Sequence, residues 1–169
     1  MSAIQSFFCQ DCQANPKIRT RNGNNVSRFA MPVKDLYHGT VVQALINDGW
    51  EITDDPLLLS YGGRELYVDL GAERRAIAAQ KGERKIAVEI KSFLRPSPVR
   101  DLEEAVGQYG VYQSILTEIA SDRVLYLAVP KRSYESIFTE KLGQLILKRL
   151  QVRLLVFDEE ERRIVQWIT

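Results

Sequence analysis

Apolar and polar positions along this chain fall into blocks whose period switches between that of a helix and that of a strand. From Lys34 to Asp48, the residues Leu36, Tyr37, Val41, Ala44, Leu45 and Asp48 trace a mostly apolar stripe at helical spacing, and Gly49 ends it. Trp50 to Thr53 predicts a short strand, Asp54-Asp55-Pro56 a turn, and Leu57 to Tyr61 a second extended segment. Gly62-Gly63 closes a hairpin onto Glu65 to Leu70. Ala72 to Gln80 predicts a short helix stopped by Gly82, and Arg84 to Lys91 is the clearest strand. After a loop at Pro96-Ser97-Pro98, a long amphipathic helix runs from Val99 or Arg100 to Ile119. Arg123 to Val129 is a continuous apolar run of strand length, the pattern of a sheet centre. One or two helices fill Ser133 to Leu150, and strands Arg153 to Phe157 and Arg162 to Ile168 flank an acidic turn at Asp158 to Glu161. No internal repeat is visible. The order predicts an α/β domain in which helices cover both faces of a mixed sheet.

Composition adds boundaries to this picture. At 169 residues the chain reads as one domain, long enough to bury roughly 70% of its unfolded surface. Residues 1–30 stand apart: Gln13 to Ser27 is polar and rich in Asn, without periodicity, and is expected to be disordered. Met31 follows at once, so the patterned domain is taken as 31–169 and Met31 as its natural start. Cys9 and Cys12 form a lone CxxC with one His, His38, in the chain, too few ligands for a zinc site within one copy. They read as reduced thiols, with a zinc shared between two copies or a redox pair left open. The net charge of +1 supplies no global basic field, which argues against a DNA coat but not against a nuclease with a local basic surface. No apolar run reaches the roughly 18 residues of a membrane span and no secretory pattern is seen, so a cytoplasmic protein without membrane contact is expected. Self-association into a homo-oligomer stays open.

The candidate chemistry lies in the strand KIAVEIKSF. Alternation places Ile86, Val88 and Ile90 on one face and Ala87, Glu89 and Lys91 on the other. In the segment before it, Tyr67 and Asp69 share a face opposite Leu66, Val68 and Leu70. Two carboxylates and an ammonium among central apolar strands are costly unless they act together, and a divalent cation is the natural remedy for converging carboxylates. Mg²⁺ or Mn²⁺, held by Asp69, Glu89 and the Ile90 carbonyl, suits that donor set, with Lys91 beside a scissile phosphate. Glu-x-Lys on an exposed strand is also a common surface ion pair, which is the plain alternative. On the following helix Gln108 and Tyr112 lie one turn apart, flanked by Gly107 and Gly110. Those glycines predict a close backbone approach, from packing on the sheet or from Gln108 reaching the cation site with Tyr112 in support. His38 and Asp35 are further site candidates, or ordinary residues at a helix start. Glu73, Arg74 and Arg75 read as a solvated helix surface or as contacts to phosphate.

Asp69, Glu89-x-Lys91 and Gln108-x-x-x-Tyr112 resemble the active-site pattern of the PD-(D/E)XK nuclease superfamily, the QxxxY element its RecB-like branch. KDLYH (34–38), ALINDGW (44–50), VDLGAE (68–73), KIAVEIKSF (85–93), GQYGVY (107–112), DRVLYLAVP (122–130) and IVQWI (164–168) resemble, in order, the XisH family. The resemblance spans Met31 to Ile168 and leaves the first thirty residues unmatched. It implies a restriction-endonuclease-like core and the role of a cyanobacterial element excision controlling factor in programmed DNA excision during heterocyst differentiation. The implied partners are DNA, a site-specific recombinase and a small XisI-like protein. The first-helix acid that many members of the superfamily carry is not evident here.

Overall fold

The computed structural model of the protein describes residues 34–74 and 84–169. Pro32–Thr169 forms one compact unit. The disorder expected for residues 1–30, and the expected helix beyond Arg74, lie outside the described residues.

Helix α1 (His38–Asn47) buries Val41, Ala44 and Leu45 completely, as its stripe predicts. It starts later than Lys34 because the Asp35 carboxylate accepts the Tyr37 N–H at 2.9 Å, turning the chain and leaving Leu36 exposed. Gly49, at φ +84°, ends the helix and lets the Trp50 N–H return to the Leu45 carbonyl at 3.0 Å. Strands β1 (Glu51–Asp54), β2 (Leu57–Tyr61), β3 (Arg64–Val68), β4 (Leu70–Arg74) and β5 (Arg84–Ile90) follow. Gly62 and Gly63, both at positive φ, make the two-residue turn that joins β2 to β3, the conformation a tight hairpin demands. Helix α2 (Pro98–Ile119) is capped by the Ser97 side chain, which accepts from the Arg100 N–H, and Pro98 occupies its first turn. Next come β6 (Arg123–Pro130), α3 (Lys131–Ser133) with a π-helical turn at Tyr134–Phe138, α4 (Lys141–Leu150), β7 (Leu154–Asp158) and β8 (Arg163–Ile168).

Six strands form one mixed sheet in the order β1-β4-β5-β6-β7-β8, with β5, β6 and β7 parallel and the outer pairings antiparallel. Period-two alternation splits the core between its faces. Ala87, Leu125, Leu127, Val129, Leu154 and Val156 pack against Leu102, Ala105, Tyr109 and Leu116 of α2 and against Leu57, Leu59 and Val68 of the hairpin. Ile86, Val88, Ile90, Ala128, Leu155 and Phe157 face Val41 and Leu45 of α1. The fold is thus a mixed α/β sheet flanked by helices on both faces. No helix among the described residues is long and apolar enough to cross a membrane.

Two local expectations are corrected. Ala72–Arg74 is strand, not helix, because Ala72 pairs with both Ile52 and Ile86 and tertiary pairing overrides its helix propensity. Glu65 to Leu70 is not one strand: the chain bends at Asp69, so Val68 enters the α2 core whereas Leu70 enters the α1 core.

Candidate functional site

The bend at Asp69 is where the β2–β3 ribbon leaves the main sheet. β4 pairs with β5 only as far as Leu70 with Val88. One step beyond, the Ile90 N–H has no strand partner on that side, and the Asp69 carboxylate accepts it at 2.8 Å. Burial pushes the Asp69 carboxyl up, the nearby Asp35 adds to this, and the Ile90 N–H, His38 and Lys91 pull it back. Glu89, on the α2 face of β5, is only 4% exposed. Burial and the Asp69 charge push its carboxyl up to about 8 against the pull of Lys91. Lys91 Nζ lies 3.4 Å from Glu89 Oε1 and 3.8 Å from Glu104 Oε1. Asp69, Glu89 and Lys91 therefore meet at one place, at the carboxyl end of β5.

Helix α2 forms the facing wall. Glu104, Gln108 and Tyr112 succeed one another at four-residue intervals and share one face of the helix. The Glu104 end of this row meets Lys91. At the other end the Tyr112 hydroxyl donates to the Tyr67 carbonyl at 3.0 Å, and burial, with the charges of Glu89 and Asp69, raises it to about 12. Gln108 lies between them, its Oε1 buried and without a hydrogen-bond partner. The close backbone approach expected at Gly107 and Gly110 is not found: a Cβ at either would meet open space, because both face away from the sheet. Helical phase alone turns Gln108 inward.

Asp35 and His38 also reach this neighbourhood. Asp35 lies before α1 rather than in it, and its second carboxylate oxygen accepts the Ser92 N–H at 3.0 Å, just past Lys91. His38 is 7% exposed; its Nε2 lies 3.0 Å from Asp55, and its Nδ1 is buried with no partner. A small cleft of about 270 Å³ opens beside Lys91, lined also by Asp35, Ser92, Arg95, Asp101 and Glu104. Arg95 ties Asp101 and Glu104 together. Glu73 and Arg74 belong elsewhere. Both sit on β4, where Glu73 pairs with Arg123 at 3.0 Å and Arg74 with Asp48 at 3.5 Å; Arg75 lies outside the described residues.

The donor chemistry fits a hard divalent cation. Burial and the Asp69 charge hold the Glu89 carboxyl well above its ordinary range, so without a cation Glu89 relieves the repulsion by keeping its proton; a divalent ion would replace it. The Ile90 carbonyl points to the same side of β5 as the N–H that Asp69 accepts, so the expected third oxygen lies there as well. Among the described residues no group of three or more His, Cys, Asp and Glu side chains is placed to hold a metal. A cation here would rest on two carboxylates, a carbonyl and water, the small protein ligand set Mg²⁺ accepts. Glu104 is the site residue the sequence reading passed over; its place four residues before Gln108 was the available signal.

The XisH protein family model matches residues 31–165, which include every site residue named above. A solved XisH family protein from Nostoc punctiforme is 41% identical, with a TM-score of 0.72, over 80% of this chain and 100% of that one. A solved fdxN element excision controlling factor protein from Anabaena variabilis is 43% identical, with a TM-score of 0.72 and the same coverage of both chains. No curated protein sequence matches significantly.

Proposed function

The chain belongs to the XisH family, and from that premise we propose that it is an element excision controlling factor built on a PD-(D/E)XK nuclease-like domain. In this reading it hydrolyses phosphodiester bonds or supports site-specific DNA excision, with Mg²⁺ or Mn²⁺ as cofactor. The observation that carries the reading is the buried Glu89 beside the half-buried Asp69, with Lys91 next to them. Asp69, Glu89 and the Ile90 carbonyl would hold the cation, which when bound supplies Lewis-acid polarisation of the phosphodiester and a more acidic water. Lys91 offsets negative charge developing on the phosphate. The free Gln108 Oε1 accepts a hydrogen bond from the attacking water and so orients it. Tyr112, anchored to the Tyr67 carbonyl, holds the ribbon carrying Asp69 against α2. Asp35 fixes the Ser92 backbone, and His38 adds a positive influence on Asp69.

The test is nicking or cleavage of supercoiled, linear and single-stranded DNA with Mg²⁺ or Mn²⁺. Lys91→Ala and Asp69→Ala should each lower the rate about 100-fold or more. Rates equal to the parent in both variants would remove this site from the mechanism.

A second reading is favoured by the acidic rim and by Lys91 already engaged with Glu89 and Glu104. Here the domain is a catalytically silent regulator that binds DNA, a site-specific recombinase or a small XisI-like partner, since fold does not fix function. Excision in cells separates the two: Lys91→Ala abolishes it under the enzymatic reading and leaves it intact under the regulatory one.

A further inference from the structure

The amino end of β5 carries a second recess that the proposed chemistry does not use. It encloses about 660 Å³ and is lined by Trp50, Tyr126 and Trp167 together with Arg74, Arg84 and Lys85. That volume lies in the range of ligand sites, and an aromatic wall with a few directed polar groups is their usual lining. Lys85 and Glu89 are roughly 13 Å apart along β5 at the rise of a strand, so this recess and the carboxylate site lie at opposite ends of it.

Its aromatic wall is built. The Trp50 and Trp167 rings lie 5.7 Å apart, and the edge of Tyr126 meets Trp167 at 4.8 Å. Trp50 is nearly buried and forms the floor, whereas Tyr126 and Trp167 stay half-buried and present ring surface to the opening. The floor is locked by its own contacts: the Trp50 indole N–H donates to Asp48 at 3.1 Å, and the Arg74 guanidinium, paired with the same Asp48, lies 6.0 Å over the Trp50 ring. Lys85 is paired with Asp122 at 3.2 Å. Asp48, Asp122 and the terminal Thr169 complete the polar lining. Among the described residues, the Tyr126 hydroxyl, the Trp167 indole N–H and the Arg84 guanidinium make no hydrogen bond or ion pair. Three donors without acceptors, beside aromatic surface, ask for a ligand that brings both a flat ring and acceptor oxygens.

We propose that this recess binds a nucleotide unit, its base against the Trp167 and Tyr126 rings and its phosphate on Arg84. Base–aromatic stacking tolerates any base, and arginine supplies the phosphate contact. The unit comes either from a free nucleotide or from the unpaired end of a DNA strand, and both present the same chemistry. The site does not depend on the nuclease reading, because it shares no residue with the carboxylate cluster.

The chain offers a direct probe: it contains two tryptophans, and both line the recess. Tryptophan emission of the full chain is titrated with dAMP, with a ten-residue oligo(dT), with deoxyadenosine and with inorganic phosphate, in the absence of divalent cations. Expected is saturable quenching by dAMP or by oligo(dT), with deoxyadenosine weaker and phosphate alone silent. Quenching by oligo(dT) but not dAMP assigns the unit to a DNA end, and the reverse to a free nucleotide. Arg84→Glu should weaken binding about tenfold or more, and Tyr126→Ala likewise, each with unchanged thermal unfolding as the check on folding. No quenching by any nucleotide, or equal response to phosphate alone, overturns the proposal. So does emission that shifts with protein concentration and not with nucleotide, which would make the recess a contact between copies. Lys91→Ala should leave these titrations unchanged even where it abolishes DNA cleavage.

Discussion

The two ends of β5 handle charge in opposite ways. At the amino end opposite charges meet: Arg123, 11% exposed, reaches Glu73 at 3.0 Å and the Ile86 carbonyl at 2.9 Å, and Lys85 reaches Asp122. At the carboxyl end like charges meet. Asp69, half-buried, and Glu89, buried, are both raised, and Lys91 pulls on both. A fold selected only for stability would arrange both ends like the first, since an uncompensated buried charge costs several kcal/mol. The difference marks the carboxyl end as the one held in electrostatic tension.

The largest effect expected from this contrast is a pH dependence. Glu89 sits at about 8 in the folded protein against an ordinary 4.5. The unfolded chain therefore releases this proton first, and the stability tied to it is complete below about pH 4.5 and drains away as pH rises to about 8. Asp69 is shifted in the same direction and adds to the slope. Without divalent cations, unfolding by urea should show the parent losing on the order of a few kcal/mol between pH 5 and 8. Glu89→Gln should lose much less and be the more stable of the two at pH 8. A parent whose stability does not fall over this range would erase the contrast between the two ends.

Next in size is the response to a cation. At pH 8, Mg²⁺ or Mn²⁺ at a hundredfold excess over its Kd should raise parent stability by about 2.7 kcal/mol. Glu89→Gln should gain far less, and Arg84→Glu, at the other end, as much as the parent. Equal gains in all three would mean that the ion binds elsewhere.

The contrast was only partly legible in the sequence. Alternation in KIAVEIKSF sets Glu89 and Lys91 on the same face as Ala87, and the structure keeps that arrangement because β5 is central and paired on both edges. The bend at Asp69 could not be read: on paper the alternation continues to Leu70, whereas in space the ribbon peels away and Leu70 changes face. Ala72, Glu73 and Arg74 are good helix formers, so their place in β4 follows only from pairing with distant segments. Glu104 was hidden by being an acid near a helix start, where solvated carboxylates are common. The aromatic recess was beyond reach for another reason: Trp50, Tyr126 and Trp167 belong to three separate segments that meet only in the cluster packed on the α1 face of the sheet.

A smaller loss is expected from the amino end itself. Arg123→Ala removes a nearly buried guanidinium and leaves the Ile86 carbonyl and Glu73 without their partner. It should cost about 1–3 kcal/mol in unfolding free energy. Cleavage and cation binding should be unaffected, because nothing at the carboxyl end touches it. Loss of cation binding in a folded Arg123→Ala protein would mean that the two ends are coupled through β5 rather than independent.

The smallest effect runs the other way. Gly107 and Gly110 sit in the interior of α2 with ordinary φ and open space where a Cβ would stand. Neither turn geometry nor packing requires glycine there, so alanine should stabilise the helix by about 0.5–1 kcal/mol at each position, partly by restricting the unfolded chain. Urea unfolding of Gly107→Ala and Gly110→Ala measures it, and the two gains should add to within a few tenths, about 0.5 kcal/mol at most, if the sites are independent. The same variants sharpen the placement of the working surface. Gln108 faces the carboxylates while its flanking glycines face away, so cleavage should keep its rate as stability rises. A more stable protein that cleaves poorly would show that DNA lies along the outer side of α2, and that the glycines are there to let its backbone approach.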